Sequence, residues 1–375
     1  MDLKSLSLLN YRNFEELKLD FSEKINCFIG NNGVGKTNIL DSIYFLAFCK
    51  SWLNPIDSQN IRYGSDYFMI KGNFQFSDLI ETISCGLKNG RKKSFKRNSK
   101  EYSKLSEHIG LIPLVTVSPY DSDLIIGGSE ERRRFIDIII SQFDKEYLDK
   151  LLKYNRILTQ RNQLLKQFAS QGKFDMESLE IWDVQLIAHG NVLYQKRTEY
   201  IKNIIPIFNK YYRYISSDTE SVSLEYKSQL NEANFDDLLK NSLEKDRILQ
   251  YSTIGTHKDD LIFYLNANPL KKNASQGQQK TYLIALKLAQ FDYIKQIGGI
   301  KPILLFDDIF DKLDSERVKQ IIHLVADNNF GQIFITDTNK ERLYHILKEI
   351  HIAYKLFELG EELREVNENF ESSND

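Results

Sequence analysis

The spacing of hydrophobic positions along this chain changes period several times, and each change predicts an element. Residues 3–9 and 14–21 alternate apolar and polar side chains and predict two strands joined at Asn10-Tyr11-Arg12-Asn13. Ile25, Cys27, Phe28 and Ile29 form a short apolar run, the mark of a buried strand. From residue 38 to 48 the period becomes helical, with Ile39, Leu40, Ile43, Leu46 and Ala47 on one side. Alternation returns at residues 67–70, 74–76 and 81–87, and Asn89-Gly90 predicts a type I′ hairpin turn. Residues 114–117 predict a further strand. After Gly127-Gly128, the apolar positions Phe135, Ile139, Phe143, Tyr147, Leu151, Leu158 and Leu165 predict a long helical stretch from Ser129. It breaks at residues 170–173, and a second helical run follows from 176 to 214, interrupted near Pro206. Two antiparallel helices inserted in mid-chain fit that pattern.

The last third predicts a strand at 221–226, a helix at 235–249 and a hairpin over 260–270. A helix follows to about residue 294. A buried strand at 303–307, a helix at 314–326, a strand at 332–336, a helix at 340–349 and a strand at 353–359 then alternate. The fold class expected is α/β: a head with a mixed β-sheet and a phosphate-loop α/β core, carrying an inserted helical lobe. The expected division is residues 1–128 and 216–366 as two halves of the head and 129–215 as the lobe. Residues 367–375 form the end of an acidic, solvated tail.

Composition narrows the partners. The chain has 375 residues, 42% hydrophobic and 27% charged, an ordinary globular balance. A net charge of −2 excludes a uniformly basic nucleic-acid binder and leaves room for a local basic patch. Cys27, Cys49 and Cys85 are widely spaced and read as reduced, buried residues. With no signal-peptide pattern and no apolar run long enough to span a bilayer, the expectation is a cytoplasmic protein without membrane attachment.

The chemistry centres on Gly30-Asn31-Asn32-Gly33-Val34-Gly35-Lys36-Thr37, a G-x-x-x-x-G-K-T phosphate loop set between a buried strand and a helix. Its glycines allow backbone N–H groups to converge on phosphate oxygens, and the helix N-terminus adds a positive dipole end. Lys36 is expected to reach the β- and γ-phosphates, and the Thr37 hydroxyl to hold Mg²⁺. Arg12, at the first turn, reads either as a surface arginine or as one that folds over the nucleotide. Ile303-Leu304-Leu305-Phe306 followed by Asp307-Asp308 places two acids at the end of a buried strand. Asp307 is the expected metal ligand and Asp308 the group that orients or deprotonates the attacking water. The acids lie about 270 residues beyond the loop, unlike a small GTPase. Asn339-Lys340-Glu341-Arg342 also lacks the aspartate of a guanine-reading motif, so ATP is the expected nucleotide.

Ser275-Gln276-Gly277-Gln278-Gln279 opens another helix and reads as a second anion site. One γ-phosphate does not need two such sites from one chain. Ser275, Gly277 and Gln278 are therefore expected to close over the nucleotide of a second copy, as the S-G-G-Q motif does in ABC-type ATPases. Residues 88–104 hold eight basic side chains against the single acid Glu101. This stretch reads either as an edge hairpin protected by its lysines or as a DNA-contacting hairpin using Arg91, Lys93, Lys96 and Arg97.

Taken together, the motifs resemble the RecF family of bacterial DNA-repair ATPases, which is related to the SMC and ABC-type ATPases. The resemblance rests on Leu9-Asn10-Tyr11-Arg12-Asn13-Phe14, on residues 30–41, and on Glu131-Arg132-Arg133-Arg134-Phe135-Ile136-Asp137. It continues through Gln160-Arg161-Asn162, Gly255-Thr256-His257-Lys258-Asp259-Asp260-Leu261, residues 275–280 and residues 302–314. Trp52-Leu53, Thr256 and, where transporters carry a histidine, Asp337-Thr338 depart from related patterns. The resemblance implies an ATP-dependent homodimer that binds duplex DNA and duplex/single-strand junctions, with slow DNA-dependent ATP hydrolysis. It implies RecR and RecO as partners, with loading of RecA at gaps downstream. A transport ATPase subunit, an SMC-like chromosome-organising protein and an ATP-binding switch with little turnover are the competing readings. The long insertion argues against the first, and the absence of long heptad arms against the second.

Overall fold

The computed structural model describes residues 1–218, 220–310, 313, 315–326, 330–349, 353–360 and 363–366. The chain forms two compact units, one from Met1–Tyr120 with Gln290–Asp375, the other from Asp121–Ala289. The second unit therefore takes in residues 216–289 along with the two long helices, a division at different points from the one expected. The tail at 367–375 lies outside the described residues.

The first unit begins with β1 (Asp2–Tyr11), β2 (Phe14–Asp20), β3 (Ile25–Ile29), α1 (Lys36–Phe48), β4 (Tyr67–Phe76) and β5 (Leu79–Lys88). β6 (Ser94–Arg97), β7 (Lys100–Glu101) and β8 (Leu114–Val117) follow. The second unit contains α2 (Asp123–Ile126), α3 (Ser129–Phe143), α4 (Lys145–Gln171), α5 (Met176–Ile215), β9 (Val222–Lys227), α6 (Phe235–Asn241) and α7 (Leu243–Leu249). It ends with β10 (Asp260–Leu265), β11 (Asn268–Pro269), α8 (Leu270–Asn273) and α9 (Gln276–Gly298), whose last turns count with the first unit. β12 (Ile303–Asp307), α10 (Ser315–Ala326), β13 (Ile333–Asp337), α11 (Lys340–Glu349), β14 (Tyr354–Leu359) and β15 (Leu363–Val366) complete the first unit.

Two six-stranded sheets build the first unit. One runs β2-β1-β4-β5-β6-β7 and is antiparallel throughout. The other runs β15-β14-β3-β13-β12-β8, parallel except for β15. α1 touches strands of both sheets. That explains its composition: eleven of its thirteen residues are buried, as expected of a helix that is apolar almost all round. Gln332 ties the sheets together, its side chain exchanging two hydrogen bonds with the backbone of Leu3 at 2.7 and 2.8 Å. Phe28 stacks on Phe357 with centroids 5.2 Å apart, and Phe21 meets Phe334 edge-on at 5.0 Å.

In the second unit, α4 packs on α5 across the short turn that Gly172 opens in the left-handed region. The helical run from Ser129 is two helices, not one. Asp144 adopts an extended backbone and caps α4 by accepting from the Tyr147 N–H, so the chain turns there despite continuous helical spacing. α5 in contrast runs unbroken through Pro206. Proline removes one backbone bond at a cost of about 3 kcal/mol. Ile204, Phe208, Tyr211 and Tyr212 are buried on either side, and that burial holds the helix together. At the tight turn, Asn89 does not have the positive φ that type I′ requires, whereas Gly90 does at 72°. The Arg91 N–H bonds the Lys88 carbonyl at 2.9 Å, closing a turn whose positive φ falls at its second central residue. β15, unforeseen in the acidic stretch, pairs antiparallel with β14 and is joined to it by Lys355–Glu365.

Candidate nucleotide site

Three strands of the parallel sheet bring the chemistry to one edge. β13 lies between β3 and β12, with Asp337 opposite Ile29 and Thr336 opposite Asp307. The phosphate loop leaves the end of β3 and enters α1. Gly30 and Gly35 have φ of 151° and 109°, a region that side chains rarely tolerate. A Cβ on Gly35 would sit 2.5 Å from the Asn13 amide, and one on Gly30 2.4 Å from the Leu359 carbonyl oxygen. Asn13 supports the loop from outside, donating to the Val34 carbonyl at 3.0 Å and accepting from the Asn38 amide at 2.8 Å.

Lys36 Nζ donates to the carbonyls of Gly30 and Asn31 at 2.7 and 2.9 Å. Burial pushes its pKa down, while Asp308, Asp307 and Asp337 pull it back up. Thr37 Oγ1 donates to Asp307 Oδ1 at 2.9 Å, and Thr336 Oγ1 donates to the same oxygen at 2.8 Å. The Asp308 N–H donates to Thr336 Oγ1 at 3.0 Å. Burial raises the Asp307 pKa above the usual carboxylate range, with the neighbouring Asp308 adding to the shift. Asp308 has a φ of 48°, unusual for a residue with a side chain and frequent at functional sites.

Asn32, Gly33, Gly35, Lys36, Thr37, Asp307 and Asp308 line one cleft of about 180 Å³, together with Asn38 and Thr336. The loop, the proposed metal ligands and the proposed base are thus brought together. Arg12 is not at that cleft. Its Nη2 bonds Asp41 at 3.3 Å and Ser51 at 3.0 Å, and Tyr11 donates to the same Asp41 carboxylate at 2.6 Å. Asp41 is fully buried on α1, so Arg12 braces the loop helix. Thr336 is the residue that sequence reasoning missed. Its only signal was a hydroxyl at the end of a strand whose partner was unknown.

Ser275, Gly277 and Gln278 belong to the second unit. Ser275 and Gln278 form a reciprocal cap: the Gln278 N–H donates to Ser275 Oγ at 3.2 Å, and the Ser275 N–H donates to Gln278 Oε1 at 2.7 Å. Gln278 also donates to Glu220 at 2.6 Å. Ser275 and Gln276 are exposed at the head of a 23-residue helix.

The four residues expected to touch DNA do not share one fate. Lys93 points inward, bonding the Cys49 carbonyl and Asp57 at 2.6 Å each, and lies over the Phe45 ring. Arg97 is paired with both oxygens of Glu81. Arg91 is exposed, as are Lys88, Lys92, Lys100 and Lys104; Lys96 is half-buried opposite Glu101.

Residues 25–336 match the family described as AAA domain, putative AbiEii toxin, Type IV TA system. The chain is 55% identical over 359 residues to the DNA replication and repair protein RecF of Phocaeicola vulgatus, covering 95% of this chain and 96% of that protein. It is 51% identical over 359 residues to the protein of the same name from Flavobacterium johnsoniae, covering 96% of this chain and 100% of that one. Among solved structures it resembles the recombination mediator protein RecF with ATP in the RecFOR pathway. There the TM-score is 0.87 at 28% identity, covering 98% of both chains. An Smc head bound to the C-terminal winged-helix domain of ScpA matches at a TM-score of 0.59 and 16% identity, covering 98% of both chains, a likeness of fold alone.

Proposed function

This chain belongs to the RecF family, and from that premise we propose that it is an ATP-binding protein of DNA replication and repair whose ATP-bound form is a DNA-binding homodimer. One observation carries the reading: the phosphate loop, Lys36, Thr37 and the Asp307–Asp308 pair share one cleft. An ABC-type head supplies the fold for it, and the relative solved with ATP supports the choice of nucleotide.

The oxygens of Thr37 and Asp307 suit Mg²⁺, a hard cation that takes oxygen ligands. Asp307 is buried beside Asp308 with two hydroxyls pointed at it, an arrangement that a cation relieves. Bound there, the ion would supply charge neutralisation to the β- and γ-phosphate oxygens. Lys36 gives up its bonds to the loop carbonyls and donates to phosphate instead. Asp308 orients the attacking water and accepts its proton. Asp337-Thr338 stand where transporters carry a histidine, which accords with slow turnover, and the family reading adds its dependence on DNA. Ser275, Gly277 and Gln278 close over the partner copy's nucleotide, at a helix N-terminus where Ser275 and Gln276 are exposed. RecR, RecO and, downstream, RecA are the protein partners this reading carries. No described helix is long and apolar enough to cross a membrane.

DNA binding falls to the exposed cations of the β5–β6 turn region. Lys93 and Arg97 are committed to internal carboxylates, so they hold the hairpin in place while Arg91 and Lys96, with Lys88 and Lys92, offer charge. A duplex on two such hairpins of a dimer is held bivalently, which makes DNA binding depend on ATP.

Titration with labelled ATP tests the site. Lys36→Ala is expected to weaken ATP binding on the order of a hundredfold, the loss of charge-assisted bonds to phosphate. Unchanged affinity would refute the assignment. Ser275→Arg is expected to bind ATP as a monomer yet fail to dimerise, measured by light scattering. If the monomer itself loses ATP, the trans-acting role is wrong.

A further inference from the structure

A second cleft, of about 490 Å³, lies in the first unit beneath the basic turn. Its walls differ in character. Phe95, Leu87 and Tyr102 supply an apolar side; Lys88, Arg91 and Lys92 stand exposed at the rim. Tyr102 is held in place, its hydroxyl 3.0 Å from His108 Nδ1 and its ring 6.1 Å from that of Phe95. His108 is fully buried, with Nε2 2.6 Å from the Leu46 carbonyl oxygen of α1. The ring wall is therefore fixed before any ligand arrives. Two acids also line the cleft: Asp57 is neutralised by Lys93, and Glu101, exposed, stands opposite Lys96 in the β6–β7 pair, so the basic side chains outnumber the acids. Cations at the rim over an aromatic wall suit a ligand with a flat, weakly polar body and an anionic end.

We propose that this cleft takes one unpaired nucleotide of DNA, its base against Tyr102 and its phosphates at Lys88, Arg91 and Lys92. The proposal rests on the DNA-binding reading above and adds a site to it. The size selects the ligand: the cleft falls within the range of sites for small molecules and admits one base, whereas a duplex reaches only the rim. A base stacks on an aromatic ring regardless of its identity, so the site reads single-strandedness rather than sequence. The exposed cations flank the opening and can follow a backbone that enters and leaves. A duplex with a single-stranded extension thus has a contact that a blunt duplex lacks.

The test uses the full chain with ATP and Mg²⁺. Fluorescence anisotropy compares a blunt duplex, the same duplex with a single-stranded extension, and a free deoxynucleoside monophosphate. Arg91→Glu with Lys92→Glu is expected to reduce affinity for the extended duplex by on the order of tenfold more than for the blunt one. Tyr102→Leu, which keeps apolar bulk, is expected to remove much of the same preference, and Tyr102→Phe to retain it. An independent arm places 5-iododeoxyuridine in the extension, and photocrosslinking is expected to reach Tyr102. Equal weakening of both duplexes would overturn the proposal, making the cations a general rail. Crosslinks that fall elsewhere while the extension is still preferred would overturn it too. So would tight binding of the free monophosphate with no preference for the extension, which would mark a small-nucleotide site. If the unmodified chain binds neither duplex, the DNA reading itself fails; that result is distinct from loss of preference alone.

Discussion

Two sets of buried cations, one in each compact unit, are treated in opposite ways. Lys36 in the first unit bonds two backbone carbonyls and stands near three carboxylates. Arg197 in the second unit bonds Asp137 at 2.8 Å, Asp259 at 3.1 Å, the Tyr147 hydroxyl at 2.9 Å and the Thr256 carbonyl at 2.8 Å. Arg161 is likewise flanked by Asp183 and Asp246 at 2.5 and 2.7 Å. A cation paired with two fixed carboxylates has little charge left to give a ligand. A cation held by neutral carbonyls can exchange them for phosphate. Lys36 and Arg161 both lie in motifs that resemble the family's, as do Asp137 and Asp259 beside Arg197, so motif membership alone does not separate scaffold from chemistry.

Breaking the scaffold should have the largest effect. Arg197→Met leaves Asp137 and Asp259 facing each other without their shared cation. The expected loss is about 3–5 kcal/mol of folding stability, measured by denaturant unfolding. A midpoint and slope matching the unmodified chain would show that the cluster is not structural.

A pH experiment sharpens the same contrast. His257 sits between the Tyr154 hydroxyl at 2.8 Å and the Ser252 carbonyl at 3.0 Å, and burial pushes its pKa down to about 4 from 6.5. The unfolded chain then binds the proton more readily than the folded one. Stability from this group is full above pH 6.5 and is lost progressively as the pH falls towards 4. The total is at most about 3 kcal/mol. Melting temperatures across that window should fall less steeply for His257→Asn. Parallel curves for the two proteins would place the acid sensitivity elsewhere.

At the open site, effects should fall on turnover. Asp308→Asn is expected to slow ATP hydrolysis by on the order of a hundredfold, about 2.7 kcal/mol in the barrier, with ATP affinity and folding stability nearly unchanged. An unaltered rate would move the water-activating role to another group.

Much of this architecture is legible in the sequence. β3, the phosphate loop, α1 and β12 fall where the apolar runs and glycines put them, because each is a contiguous stretch whose conformation its own residues favour. Helix ends were less legible. Asp144 divides a run of uniform spacing and Pro206 fails to divide another, because a cap and a buried face act against the periodic signal.

By itself, then, the sequence determined the phosphate loop, the acids at the end of a buried strand, the S-x-x-Q helix start and the family. Only the tertiary structure decided that β13 lies between β3 and β12, which sets Thr336 beside Asp307. It also decided that Arg12 grips Asp41, and that Lys93 and Arg97 turn to Asp57 and Glu81 while Arg91 stays exposed. A loop's geometry follows from the φ preferences of adjacent residues. The partner of a long, flexible cationic side chain depends on which distant carboxylate the folded sheets bring within reach, and no local pattern encodes that distance.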